Sequence, residues 1–219
     1  GIIRKPDPNE LGWKDTVRIS PLEDTIVALR PLVPHVPWDL PNSVRLIDPS
    51  MPEGVSLTDI GMLIFDPLGQ PVQVTNHYVN FGWEYVWHCH ILSHEEMDMM
   101  RPQVLGVTPR APSALAFEVI GTEPDQQVVL SWEDNSLNET AFTVERAATA
   151  DGPWMTLAVL PAGTTTYEDP VGVASQGYVY RVYASNTVGD TEVYPASIGF
   201  PNETMVSEFS NVVEVVPAP

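Results

Sequence analysis

The chain contains one decisive stretch, His88-Cys89-His90-Ile91-Leu92-Ser93-His94-Glu95-Glu96-Met97-Asp98-Met99. It holds the only cysteine of the chain and three of its five histidines. Within it, Cys89, His94 and Met99 follow one another at intervals of five residues. A thiolate, an imidazole and a weak thioether are ligands of a blue copper centre, which also needs a second histidine. The spacing therefore predicts a metal site built on Cys89.

The two histidines that flank the cysteine fit a second site on the opposite side. Successive side chains of a strand point to opposite faces of the sheet. If residues 84–90 form a strand, Cys89 faces one way while His88 and His90 face the other. One short segment would then hold a metal on one side and offer two imidazoles to a second metal on the other. Glu84 shares its parity with the two histidines.

The motif resembles the C-terminal copper-binding motif of the multicopper oxidases, the laccase-like enzymes. In that family the order is His-Cys-His, then histidine five residues after the cysteine, then methionine or leucine ten residues after it. These positions are filled here by His88, Cys89, His90, His94 and Met99. The resemblance implies that Cys89, His94 and Met99 hold a type 1 copper, while His88 and His90 join a trinuclear type 2/type 3 copper cluster. Electrons from a phenolic or metal-ion substrate would then reduce dioxygen to water.

Acidic and thioether side chains around the motif have less certain roles. Family members use a carboxylate near the three-copper cluster to relay protons, and Glu84 is the catalytic candidate by parity. A solvated or structural carboxylate is the alternative interpretation. Glu95 and Glu96 could attract a cationic substrate or a metal ion, or simply be solvated. Met97 and Met100 are interpreted as packing residues, with Met97 as a poorer alternative axial ligand.

Three other interpretations stay open. Zinc also accepts cysteine and histidine, but its ligands converge on one ion, whereas alternation turns His88 and His90 away from Cys89. A simple blue-copper electron carrier would leave those two histidines unused. A non-enzymatic structural or interaction module would keep the motif only as a relic.

The number of histidines is too small for a whole oxidase of this family. The upstream half of the motif is absent, and the two remaining histidines are weak candidates. His35 lies among prolines, which predicts a loop, and His77 lies in a predicted strand. The resemblance therefore implies the C-terminal portion of a larger secreted or cell-surface enzyme. Its partners would be upstream cupredoxin domains or chains of the same oxidase.

Charge and length limit the partners and the domain organisation. A chain of 219 residues can hold two domains. Its net charge of −19 repels phosphate backbones and anionic lipids, so we expect no nucleic-acid or membrane partner. Residues 1–110 carry 8 basic and 14 acidic side chains, and residues 111–219 carry 2 and 15. The proline-containing linker near residues 108–113 predicts domains at 1–108 and 112–217.

We expect an all-β chain. In it, residues 1–108 resemble an incomplete cupredoxin domain, whose fold is a Greek-key barrel or sandwich. The resemblance covers roughly residues 11–105. Apolar and β-branched runs predict strands here, with a long proline-punctuated excursion between them. The predicted strands are Thr16–Ile19, Thr25–Leu29, Met62–Phe65, Val72–Val74 and Trp83–Cys89.

The second domain resembles a fibronectin type III domain, an immunoglobulin-like β-sandwich. Alternating runs predict its strands at 128–132, 141–146, 164–167, 178–184 and 206–215. The resemblance rests on Trp132 in the second strand and on residues 177–186. It implies that Tyr178 forms a tyrosine corner. Asn138 and Asn202 begin Asn-x-Thr sequons, and we expect both in surface turns.

Overall fold

The computed structural model describes residues 2–32, 35–65, 70–121, 126–170, 177–192 and 202–216. The chain divides into two units, residues 1–34 and residues 35–219. Its strands are β1 (Val44–Leu46), β2 (Tyr78–Asn80), β3 (Trp83–His88), β4 (Met100–Leu105), β5 (Ser113–Ile120), β6 (Gln127–Glu133), β7 (Ala141–Ala147), β8 (Met155–Pro161), β9 (Thr166–Asp169), β10 (Tyr178–Val188), β11 (Glu203–Val206) and β12 (Val213–Val215). The helical elements are a 3-10 turn (Pro8–Glu10) and one short helix, α1 (Leu92–Glu95). The all-β prediction is confirmed.

The first unit is irregular apart from its 3-10 turn. The predicted strands Thr16–Ile19 and Thr25–Leu29 are wrong, because both segments lack strand structure. A strand needs a neighbour for its backbone N–H and C=O groups, and the described part of the chain gives these segments none. Their apolar side chains stay in solvent, and Ile26 is 96% exposed.

Two small antiparallel sheets open the second unit. β1 pairs with β2, and β3 pairs with β4. The predicted strands Met62–Phe65 and Val72–Val74 are wrong, because neither range forms a strand. A single bridge joins Phe65 to Pro71. Proline cannot donate to a β-ladder, which limits pairing at that point. No barrel closes among the described residues, and this part of the chain contains two separate two-stranded sheets.

The described residues between 113 and 216 form a two-sheet sandwich. One sheet has the order β5-β6-β9, and the other has the order β11-β10-β7-β8 with β12 also paired to β10. Alternating inward side chains fill the space between them, as expected for packed sheets. The core consists of Leu115, Val128, Leu130, Trp132, Phe142, Val144, Tyr180, Val182, Ala184 and Val215.

The only two basic side chains of this sandwich are both used in ion pairs. Arg146 binds Asp169 at 2.7 Å, and the Tyr180 hydroxyl donates to the same carboxylate at 2.9 Å. Burial alone would lower the pKa of Arg146, yet the Asp169 charge together with the hydrogen bonds to Asp169 and Tyr180 outweighs burial, and the pKa is raised. Arg181 pairs with Glu145 at 2.7 Å. The sandwich therefore offers no surplus positive charge to an anionic partner.

Two predictions about the sandwich need comment. The tyrosine corner of Tyr178 would involve backbone upstream of it, and residues 171–176 lie outside the described residues. The predicted surface turn at Asn138 is wrong, because this side chain is only 7% exposed. Its amide donates to the Val107 carbonyl at 2.9 Å. Asn138 thereby joins the sandwich to the segment that carries the cysteine motif.

Further contacts fasten that segment to the sandwich. Gly189 donates its backbone N–H to the Asn80 carbonyl at 2.7 Å, and the Asn186 amide donates to the Val107 carbonyl at 2.9 Å. Gly82 enters β3 with a φ of +59°, and a Cβ there would meet the Leu105 carbonyl oxygen at 2.5 Å. Only glycine fits this position without a shift.

None of the helices in the described residues has the length and apolar character needed to span a membrane.

Candidate metal centre

The β3–β4 hairpin sets the ends of the loop that carries the motif. His88 lies opposite Met100 in the register of the hairpin. One step further, the Cys89 N–H donates to the Met99 carbonyl at 3.2 Å. The ten-residue interval between cysteine and methionine therefore returns the chain to its starting point. Both residues stand at the base of one closed loop.

A short helical turn brings the histidine of the motif back toward the cysteine. The His94 N–H donates to the Ile91 carbonyl at 2.8 Å at the start of α1. Met99 then donates to the His94 carbonyl at 3.1 Å, and Asp98 makes the reversal with a φ of +60°. As a result, the Cys89 Sγ lies 3.7 Å from the His94 Nδ1.

The thioethers lie around the same histidine. His94, Met97 and Met99 together line a surface depression. Met97 is 81% exposed and Met99 is 58% exposed. The Ile91 N–H donates to the Cys89 Sγ at 3.4 Å. Both methionines remain possible axial ligands on this geometry, and Met99 has the family spacing.

His88 and His90 lie together in a second group. Their ring centroids are 4.5 Å apart. Glu95, the last residue of α1, joins them, and one ligand atom from each of the three lies within 4.8 Å of the others. Sequence parity did not predict Glu95 here, because its position depends on the helical turn rather than on the strand.

The two groups differ in donor chemistry. Ligands that share a first-row metal at about 2.0–2.3 Å in a tetrahedral arrangement lie about 3.6 Å apart. The separation of 3.7 Å between Cys89 and His94 fits that value. A thiolate with thioethers nearby suits copper, and the imidazole-carboxylate group suits a borderline divalent ion. Among the described residues, no further His, Cys, Asp or Glu completes a cluster of three around Cys89. The residues present therefore fit a copper site that lacks one ligand.

Glu84 has other partners in this structure. Arg45 forms an ion pair with its carboxylate, and the Ser43 hydroxyl donates to it at 3.1 Å. The guanidinium also lies 4.1 Å above the ring of Phe81. These contacts make Glu84 a link between β1 and β3. Its predicted role in proton relay stays a prediction.

The remaining histidines are remote in structure or committed elsewhere. His35 is exposed and lies outside regular structure. His77 is buried, with its Nδ1 2.7 Å from the Thr75 carbonyl and its Nε2 3.1 Å from Asp190. Burial lowers the pKa of His77, but the Thr75 carbonyl and the charges of Asp190 and Glu192 outweigh burial, so the pKa is raised. His77 thus serves the contact between the cysteine segment and the sandwich.

Comparison with known proteins indicates a partial laccase-like relationship. No family model matches the chain. A laccase of Bacillus stratosphericus is 50% identical over 34 residues, which are 16% of this chain and 7% of that protein. A laccase of Haloferax volcanii is 26% identical over 140 residues, which are 64% of this chain and 16% of that protein. The chain therefore matches only a small part of the length of these relatives.

Two solved structures have a low similarity to this chain. An Fn3-like protein from Clostridium thermocellum has 18% identity and a TM-score of 0.31, covering 48% of this chain and 96% of that chain. Pectate lyase Pel3 from Pectobacterium carotovorum has 16% identity and a TM-score of 0.32, covering 50% of this chain and 27% of that chain. Scores of this size do not define a shared fold.

Proposed function

We propose that this chain is the C-terminal portion of a laccase-like multicopper oxidase. The observation that carries the proposal is the grouping of Cys89 and His94 at 3.7 Å beside Met99. His88 and His90 form a separate group one residue away on either side. The partial laccase-like relationship supports the same class of oxidoreductase.

Each side chain has a role in this proposal. The Cys89 thiolate, the His94 imidazole and the Met99 thioether would hold the type 1 copper. His88 and His90 would present their imidazoles to the three-copper cluster, joined to the thiolate through the peptide bonds of Cys89. When bound, copper supplies one-electron oxidation of a phenol or low-valent metal ion and reduction of dioxygen to water. The exposed His94 edge is where a reducing substrate would approach.

Uncovered apolar surface supports an upstream partner. Tyr85, Val86 and Trp87 alternate between the two faces of β3, yet they are 39%, 52% and 41% exposed. A two-stranded sheet is marginal in water without a third strand or a covering layer. We therefore propose that upstream cupredoxin domains or chains of a secreted oxidase cover this hairpin. They would also supply the missing copper ligands.

The test is Cys89→Ser in the full-length oxidase. It should abolish the intense thiolate-to-copper absorption and stop substrate turnover, while the three-copper cluster still fills. Ser93→Ala, a change in the same loop outside both groups, is the matched control and should keep both signals. Retention of the blue absorption in the Cys89→Ser protein would exclude the assignment.

A one-copper electron carrier is the second candidate. Within this chain, Cys89 and His94 lie 3.7 Å apart beside Met99 and lack one ligand, whereas the cluster would need most of its ligands from elsewhere. Purified residues 1–219 loaded with copper should not reduce dioxygen under the first proposal. Oxygen reduction by the chain alone would contradict the proposed dependence on upstream polypeptide. A single copper in the full-length protein would support the carrier, and a stable chain that binds no copper would support a structural module.

A further inference from the structure

Both ends of the β3–β4 hairpin are fastened to the end of one sandwich strand, β10. Before β3, the Asn80 side chain donates to the Thr187 carbonyl at 2.7 Å, and its Oδ1 accepts from the Gly82 N–H at 2.9 Å. After β4, the Val107 carbonyl accepts from the Asn186 amide at 2.9 Å. Adjacent residues of β10 therefore hold the two places where the hairpin begins and ends.

Four asparagines, the asparagine cluster, make this contact: Asn42, Asn80, Asn138 and Asn186. The Asn42 amide donates to the Asn138 carbonyl at 2.9 Å and to the Asn186 Oδ1 at 3.0 Å. The Asn138 amide donates to the Val107 carbonyl, which thus accepts from both sandwich asparagines. Asn138 and Asn186 are 7% and 0% exposed. Buried amides need hydrogen-bond partners, and the segment that carries the hairpin supplies part of them.

The hairpin backbone also packs directly on the sandwich. A Cβ at Gly82, before β3, would lie 3.0 Å from the Val188 side chain. A Cβ at Gly106, after β4, would lie 3.1 Å from the same side chain and 2.7 Å from the Met205 sulfur. Side chains at either place would push the hairpin away from the sandwich. Such close contact at both ends is unlike a module that serves only as a spacer.

We propose that the sandwich is the support that holds the loop of the cysteine motif in its folded conformation. A two-stranded hairpin is marginal in water by itself, whereas the sandwich has its own hydrophobic core. The asparagine cluster joins that core to the hairpin, and the bond from the Cys89 N–H to the Met99 carbonyl closes the loop at the other end. This role concerns the fold of the loop rather than any ion, so it does not rest on the proposed oxidase function.

Native-state hydrogen exchange of the 219-residue chain tests the support one amide at a time. Asn42→Ala removes the cluster member that precedes β1, so the hydrogen bonds within the sandwich stay intact. The amides of β3 and β4 and the Cys89 N–H should exchange at least about tenfold faster, because the buried amide of Asn186 loses a partner. The amides of β6 and β7, in the sandwich core, should keep their rates within about twofold.

Asn211→Ala is the matched control. It also removes an asparagine side chain with two hydrogen bonds, to the N–H and the carbonyl of Leu115 at 2.9 Å each, but both lie within the sandwich. It should speed exchange in β5 and leave the hairpin amides within about twofold. A second variant, Met205→Ala, weakens the packing on Gly106 from the sandwich side and should speed exchange of the same hairpin amides as Asn42→Ala.

Four results would overturn the proposal. Unchanged hairpin exchange in Asn42→Ala would make the sandwich a spacer. Equal acceleration in β6 and β7 would indicate a general loss of stability. The other two are a hairpin response as large in Asn211→Ala as in Asn42→Ala, and a hairpin that does not respond to Met205→Ala.

Discussion

The buried pair between His77 and Asp190 makes the contact between the cysteine segment and the sandwich sensitive to pH. The Thr75 carbonyl can only accept a hydrogen bond, so the His77 Nδ1 at 2.7 Å carries a proton. The Nε2 faces the Asp190 carboxylate at 3.1 Å, and it must also carry a proton to donate there. The geometry therefore favours the imidazolium. Its partners raise the pKa of His77 despite burial.

The direction of the His77 pKa shift determines how the stability of the chain changes with pH. An unfolded histidine has a pKa of about 6.5. Since the pKa is raised in the folded chain, the stabilisation is fully present below about pH 6.5 and is lost as pH rises through the folded pKa. Asp190→Asn keeps the size of the side chain and removes its charge. A hydrogen bond to a charged group contributes about 1.5–3 kcal/mol when buried, so the variant should lose about that much at about pH 5.5.

Urea unfolding measures this loss directly. With a urea m-value of about 2 kcal/mol/M, a loss of about 2 kcal/mol lowers the midpoint by about 1 M at about pH 5.5. Once the pH has risen above the folded pKa of His77, the two proteins should differ much less, because the imidazole is then neutral. Glu208→Gln is the matched control, since this exposed carboxylate is not among the groups that raise the pKa of His77. An equal loss at both pH values would refute the charged pair, and so would a control as damaging as Asp190→Asn.

Three further predictions concern the metal groups and the sandwich. On the proposed function, replacing His94 by alanine in the full-length protein should remove the thiolate-to-copper absorption, whereas His90→Ala should keep it and deplete the cluster; loss of the same copper in both variants would contradict separate sites. Met99→Leu should retain the copper and raise its reduction potential, because an axial thioether is a long, weak ligand; an emptied site on copper analysis would show a stronger role. Arg146→Met should destabilise the sandwich by about 3–5 kcal/mol, because it leaves the buried Asp169 carboxylate without its cation; calorimetry should show a melting temperature lower by about 10 °C, and a shift under about 2 °C would argue against this ion pair.

Strands of the sandwich are predictable where apolar and polar residues alternate in the sequence. In β6 the buried side chains fall at alternate positions, whereas β7 and β10 also bury residues between them. The predicted ranges overlap all three strands, although β10 extends beyond its predicted end to Val188. β5 and β8 were not predicted. Most side chains of β5 are exposed, and β8 ends at Pro161, so neither shows a clear period. Their pairing with β6 and β7 forms them, which is a tertiary effect.

In the first unit, the sequence predicts strands that the structure does not contain. Thr25–Leu29 has the β-branched composition of a strand, but composition does not supply a neighbouring strand. Composition reports how well a residue fits a pleated, half-buried surface. The described residues provide no such surface for this segment, and Ile26 is almost fully exposed.

At the metal loop, the alternation of side chains along a strand predicts their directions only as far as β3 extends. β3 ends at His88, so the alternation rule does not strictly extend to Cys89 or His90. The bond from the Cys89 N–H to the Met99 carbonyl and the turn of α1 decide the rest. The alternation rule therefore predicts that His88 and His90 lie together. It cannot predict that Glu95 joins them, because the turn of α1 places Glu95. Metal binding by any of these residues stays a prediction until an ion is measured.

The hairpin that carries the loop is fixed at one end and open at the other. Near its base, Trp83 donates its indole N–H to the Leu40 carbonyl at 3.3 Å, and Glu84 is held by Arg45. Toward the loop, Trp87 is 41% exposed and no third strand pairs with the hairpin among the described residues. A ligand that binds only the ordered loop stabilises that order, and so does polypeptide that covers the hairpin. Because both act on the same loop conformation, each should strengthen the binding of the other. On the proposed function, copper affinity at Cys89 should therefore be higher in the covered protein than in this chain alone, beyond the contribution of any added ligand.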